Sequence, residues 1–152
     1  MARNTMRRIA SVVVLAAISA PRLAHARAED DVSATFHAFV VAQNKHDRET
    51  VTQILLDSPN VLWIARGAVT RTREAVLRGF EENYRGTWAI EPRYDQEEVK
   101  LLSPEVAELS VPAMISIAPK DQPAQPKSFF LIQIYVRQAA SWKLTTIITV
   151  PS

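Results

Sequence analysis

The chain has 152 residues, 22% of them charged and 47% hydrophobic, with a formal charge of +2 at pH 7 and no cysteine. The missing thiol excludes a thiol nucleophile, a lipid-modified cysteine and a disulfide framework, so stability must come from a packed core. With only three glycines there is no glycine-rich phosphate loop and no nucleophile elbow.

The N-terminus reads as an export signal. Arg3, Arg7 and Arg8 precede an apolar run from Ile9 to Ala20 that is too short to span a bilayer, and Ala24-His25-Ala26 supplies a small-x-small cleavage pattern. Cleavage after Ala26 divides the chain into a signal peptide, 1–26, and a single domain, 27–152. The expected location is secreted, in a periplasm, with ordinary secretion favoured over twin-arginine export and no membrane attachment after cleavage. Loss of Arg3, Arg7, Arg8 and Arg22 leaves 14 basic against 16 acidic residues, a formal charge of 14 − 16 = −2. The basic pI therefore belongs to the signal and gives no reason to expect nucleic acid as a partner.

The domain opens with a helix expected over Asp31 to His46, where Val32, Phe36, Phe39, Val40 and Gln43 share one face. Asp47 is a good N-cap for a short second helix with Val51, Ile54 and Leu55 inward, ended by Ser58-Pro59-Asn60. Val61 to Ala65 and Val69 to Arg71 are short strands about a turn at Gly67. Thr72 caps a third helix, Arg73 to Tyr84, that buries Val76, Leu77, Phe80 and Tyr84; Gly79 within it implies close packing beside another backbone, and Gly86 ends it.

From Trp88 the period becomes two. One bulged strand is expected to run to Leu102 with Trp88, Ile90 and Tyr94 on one side, then a turn at Ser103-Pro104-Glu105. The next strand sets Ala107, Leu109, Val111, Ala113, Ile115 and Ile117 against Glu108, Ser110, Pro112, Met114 and Ser116, with Pro112 marking an edge or a bulge. After a proline-rich loop, Pro119 to Lys127, strands Ser128 to Arg137 and Ser141 to Val150 form a hairpin. Both are apolar on both faces, which calls for a cover on each side; helices supply one, and a second subunit in a homodimer supplies the other.

Three helices with a small strand pair before the third, followed by long antiparallel strands, resemble the nuclear transport factor 2-like superfamily, in particular its SnoaL-like and ketosteroid isomerase-like domains. The local matches are Arg73-Glu74-Ala75-Val76, Leu102-Ser103-Pro104-Glu105-Val106-Ala107 and Trp142-Lys143-Leu144. The resemblance implies an α+β cystatin-like fold: a cone-shaped curled antiparallel sheet packed on three N-terminal helices, with a pocket at its open end. It implies no single activity, because such domains include isomerases, dehydratases, cyclases and hydrolases alongside binding and oligomerisation modules. Where relatives carry histidines on the last strand, this chain has Thr146 and Ile148; where ketosteroid isomerases carry an acid near the first strand, it reads Val61-Leu62-Trp63-Ile64-Ala65.

The chemistry is sparse. His37 lies off the apolar stripe of its helix and reads as a surface residue, as do Glu97-Glu98 and the pair Arg93 and Asp95. With no cysteine and no clustered ligands, neither a metal nor a cofactor is expected. Trp63, Tyr84, Trp88, Tyr94, Met114, Gln133 and Tyr135 are the candidate lining of an apolar pocket, although aromatics at strand spacing equally suit an ordinary core. Gln133 interrupts an apolar strand and, if buried, needs hydrogen-bond partners. Arg66, Arg71 and Arg73 are candidates for an anion-attracting rim. The leading expectation is a domain that binds an apolar small molecule or has an accessory role. One alternative is a cofactor-free lyase, isomerase or hydrolase using Tyr94, Asp95 or Tyr135 in acid–base catalysis. Another is a protein-interaction module whose cone is filled by side chains.

Overall fold

The computed structural model describes residues 20–152. The apolar run, Ile9 to Ala20, on which the expectation of an export signal rests lies almost wholly outside the described residues. Helix α1 spans Ala20–Asn44, α2 Arg48–Ile54 and α3 Arg73–Tyr84. The strands are β1 Leu62–Ala65, β2 Ala68–Arg71, β3 Thr87–Pro92, β4 Glu98–Ser103, β5 Val106–Ala118, β6 Lys127–Gln138 and β7 Ser141–Pro151. They form one sheet in the order β2-β1-β7-β6-β5-β3, with β4 also paired to β5. Three helices on a curled, unclosed sheet give the expected α+β, cystatin-like cone.

The sheet is mixed, because β1 runs parallel to β7, pairing Leu62 with Thr146 and Ala65 with Thr149. The stretch after Trp88 is two strands and not one bulged strand. β3 pairs with Ala113–Ala118 and β4 with Val106–Ser110, separated by a 3-10 turn at Tyr94–Gln96. Pro112 falls at this handover. Its carbonyl accepts from Arg93 N at 2.8 Å, so its nitrogen points to the same side, where neither β3 nor β4 needs a donor. An internal strand thus accommodates the proline that suggested an edge.

The first helix is already formed at Ala20, the first described residue, eleven residues before the expected start at Asp31. Its side chains from Leu23 through Arg27 are exposed, and Ala28 is the first buried side chain described in it. From there Val32, Phe36, Phe39, Val40 and Gln43 face the sheet as the stripe requires. Asn44 fastens its end to the edge of β3 with two bonds of 2.8 Å, from Nδ2 to Ile90 O and from Ile90 N to Oδ1.

The concave face carries Ala107, Leu109, Val111, Ala113 and Ile115 from β5, Phe129, Leu131, Gln133 and Tyr135 from β6, and Trp142, Leu144 and Ile147 from β7, all buried. Two apolar faces do occur on β6 and β7: Ile132, Ile134 and Ile148 point outward and are half-buried, while Phe130 is 37% and Val150 44% exposed. Met114, opposite Ser128 and Glu91, belongs to this convex side and not to the cone.

Candidate functional site

The wide end of the cone is built where β1, α3, β3, β5, β6 and β7 end or begin. A narrow aromatic throat of about 40 Å³ lies there, lined by Trp63, Ala65, Arg66, Asn83, Trp88, Ile115, Ile117, Phe129 and Thr149. Below it the cone is packed with side chains. Trp63 lies against Phe80 at 4.7 Å between ring centroids, Phe80 against Trp88 at 6.2 Å, and Phe39 against Phe80 at 6.1 Å. Only about 20 Å³ remains among Phe39, Trp63, Phe80, Trp88, Leu131 and Gln133, room for about one water molecule.

Gly79 makes this packing possible. A Cβ there would come within 2.8 Å of Trp63 Cζ3, so the close neighbour is the indole ring and not a backbone. Trp88 is held by its own polar atom: Nε1 donates to Gln43 Oε1 at 2.8 Å, and Tyr84 OH donates to the same oxygen at 2.9 Å. Gln43 is fully buried, and its Nε2 has no partner among the described residues. The helical periodicity placed Gln43 on the inward face, but its role as acceptor for two distant aromatic donors became visible only in the fold.

Above the throat the surface opens into a cleft of about 480 Å³ lined by Arg66, Glu82, Asn83, Arg85, Gly86, Ile117, Ala118, Pro119 and Lys120. Its size falls within the range of small-molecule sites. Arg66 and Gly67 form the two-residue turn between β1 and β2, with φ of 51° and 81°, the left-handed pair that such hairpins require. Arg85 donates to Glu82 at 2.9 Å, whereas Arg66 and Lys120 make no ion pair among the described residues. Gly86 lets α3 approach the start of the β5–β6 loop; a Cβ would overlap the carbonyl of Ala118 and crowd Lys120 N at 3.0 Å.

Several candidates stand elsewhere. Tyr94 does not share a strand face with Trp88; it lies on the 3-10 turn, 45% exposed, edge-on to His37 at 4.4 Å and Phe36 at 6.2 Å. Asp95 is exposed beside Arg93 at 3.8 Å. Tyr135 is fully buried and donates to Gln133 Oε1 at 2.5 Å, so its phenol is held inside the core and lines neither the throat nor the cleft, while Gln133 borders only the void of about 20 Å³. Burial, then the charge of Glu97, pushes the Tyr135 phenol well above its ordinary value; the same two causes raise Tyr94. Tyr84 packs beside the throat, stacked on His46 at 4.7 Å, and is likewise raised, chiefly by burial. Of the rim candidates, Arg66 reaches the cleft and Arg71 is exposed on β2. Arg73 turns away, donating to Asp57 and to Thr52 O at 2.7 Å each.

Glu97 is the clearest departure from a solvated edge. Its side chain is 7% exposed and accepts from Ser33 Oγ at 2.5 Å while pairing with His37 Nε2 at 2.8 Å. The two donors sit one helical turn apart on α1, which ties the helix to the start of β4. Because Ser33 and Glu97 both face the same ring nitrogen, with Ser33 Oγ 3.5 Å from it, this is a clasp and not a relay that activates serine. Sequence spacing could not reveal it, since Glu97 lies 60 residues from His37.

No protein-family model matches the chain, and no curated protein matches it in sequence. Solved structures do. A nuclear transport factor 2-like superfamily protein from Salmonella enterica serovar Typhimurium superposes with a TM-score of 0.74 at 10% identity, over 84% of this chain and 94% of the other. A "putative dehydratase" of the same family from Streptomyces avermitilis gives 0.73 at 20% identity, over 84% and 98%. A nuclear transport factor 2-like protein with a cystatin-like fold from Novosphingobium aromaticivorans gives 0.70 at 10%, over 90% and 91%. At these identities the likeness establishes the fold: this chain has the nuclear transport factor 2-like, cystatin-like architecture.

Proposed function

We propose that the protein is an exported domain that binds a small, largely apolar molecule at the wide end of its cone. The observation that carries this reading is the aromatic throat of Trp63, Trp88 and Phe129 opening into the 480 Å³ cleft, at the end of the cone left unsealed by the core. The lining of that throat has Asn83, Thr149 and Arg66 as its polar groups and no carboxylate or histidine, which suits binding better than proton transfer. Tyr94 and Asp95 lie outside it, and the phenol of Tyr135 is committed to Gln133. Ligand contact therefore falls to Trp63 and Trp88 among the aromatic candidates. Native mass spectrometry of protein purified from its own source tests the reading. A non-covalent adduct lost on Trp88→Ala is expected; no adduct, together with unchanged tryptophan fluorescence across a panel of apolar compounds, would sink it.

Export is supported by the placement of the core. Leu23 is 70% exposed and Ala28 is the first buried side chain described in α1, so cleavage after Ala26 would remove no buried side chain among the described residues. N-terminal sequencing of the exported protein is expected to begin at Arg27.

A second reading, a protein-interaction module, draws on the filled interior and the apolar convex face around Ile132, Ile134 and Ile148. In the form we favour, that face joins two copies of the chain in a homodimer, which leaves both cone mouths free.

A further inference from the structure

We infer that the ligand of the cone mouth is a small amphiphilic carboxylate, its head group held by Arg66 and Lys120 and its apolar body directed into the aromatic throat. This inference rests on the binding reading above and names the chemical class that the site selects.

The cleft and the throat share Arg66, Asn83 and Ile117, so one ligand can occupy both. Their chemistry differs along the path. The throat offers Trp63, Trp88 and Phe129, and the floor of the cleft continues as Ile117, Ala118 and Pro119. The rim is cationic: the charge of Arg85 is answered by Glu82, whereas those of Arg66 and Lys120 have no acidic partner among the described residues. Two uncompensated cations over an apolar floor select an anion with an apolar body, because neither a neutral hydrocarbon nor a bare ion uses both parts.

Two backbone devices set the cations where they are. Arg66 occupies a left-handed position, φ 51°, that favours Asn or Gly and is unusual for a long side chain. Lys120 sits just past Ala118, where Gly86 lets the β5–β6 loop lie against the end of α3. The planar fork of Arg66 matches a carboxylate with two parallel hydrogen bonds, and Lys120 adds a point charge. The throat admits little more than a terminal methyl or a ring edge, so the body of the ligand lies mainly in the cleft.

Calorimetry on the purified protein with three probes tests this: 4-phenylbutyrate, 4-phenyl-1-butanol with the same body and no charge, and acetate with the charge alone. We expect the acid to bind saturably, at least about tenfold more tightly than the alcohol, as a charged hydrogen bond warrants. Arg66→Gln and Lys120→Gln, both at exposed positions, should each remove most of that difference, and added salt should weaken the acid but not the alcohol. Equal binding of acid and alcohol, unaffected by either substitution, would overturn the carboxylate assignment while leaving binding at the cone intact. Acetate binding as tightly as 4-phenylbutyrate would overturn the amphiphile. Failure of all three to bind would remove the assignment, and the native adduct test would then decide whether the binding reading falls with it.

Discussion

At the scale of single residues, burial changes what a polar side chain can be used for. Gln133 and Tyr135 are both sealed in the core, where an unsatisfied group costs more than a made bond returns. Their 2.5 Å hydrogen bond therefore makes them a structural pair. Tyr135→Phe should cost about 1–3 kcal/mol by orphaning the amide carbonyl, and Gln133→Leu a similar amount by orphaning the phenol. The double variant should recover part of the loss. Denaturant unfolding of the four proteins checks this, and strict additivity would contradict the pairing. Gly79→Ala sets two effects against each other. Helix propensity favours alanine by about 1 kcal/mol. The new Cβ would meet Trp63 at 2.8 Å, in a packed interior that cannot absorb it freely. We expect the clash to win, with lower stability and an altered tryptophan emission spectrum; a stabilised protein with unchanged emission would show that the indole yields easily. Gln133 stood out in the sequence as a polar interruption of an apolar strand, but no spacing rule could say that it was buried or that Tyr135 was its partner and not a ligand.

At the scale of elements, local chemistry was readable where one residue acts on its own turn. Asp47 caps α2 as expected: Oδ1 accepts from Thr50 N at 3.0 Å and Oδ2 from Thr50 Oγ1 at 2.6 Å. Those bonds, the side-chain one first, hold its carboxyl below the ordinary carboxylate value. A carboxyl whose value is lowered by folding contributes stability that is present above its unfolded value and is lost as pH falls through the folded one. Thermal unfolding followed from neutral pH to below about 4 should show that loss, and Asp47→Asn, which caps without titrating, should weaken it. An unchanged pH dependence in Asp47→Asn would assign acid sensitivity to other carboxylates. Elements defined by distant partners were less legible. Period-two patterning merged β3 and β4 because both follow the same alternation. Their separation depends on where β5 passes from one to the other at Pro112, a residue between their two registers. The stretch of α1 before Asp31 was also missed, because the exposed side chains from Leu23 to Arg27 contribute nothing to the apolar stripe used to find it.

At the scale of the molecule, the convex face remains apolar where the sheet has no helical cover. Ile132, near its middle on β6, is the position to test. Ile132→Asp should convert a wild-type dimer to monomers in sedimentation velocity, since an unpaired charge in an apolar interface is costly. A wild-type chain that stays monomeric at micromolar concentration would remove the dimer. The sequence by itself determined the order of the helices and of the long strands, the two alternating faces of each long strand and the helix caps, because periodicity, capping and turn chemistry act over a few residues. The cone class came from the resemblance to a known family, and the fold decided which faces of β6 and β7 turn inward. Only the tertiary structure decided which polar groups meet. It paired Glu97 with His37 and Ser33, turned Tyr135 onto Gln133, gave Gln43 to Trp88 and Tyr84, and set Arg66 and Lys120 on one cleft above a throat of aromatics. Apart from the Tyr135–Gln133 bond within β6, these contacts join segments tens of residues apart, and the curl of the sheet, which no local pattern encodes, sets the distances between them.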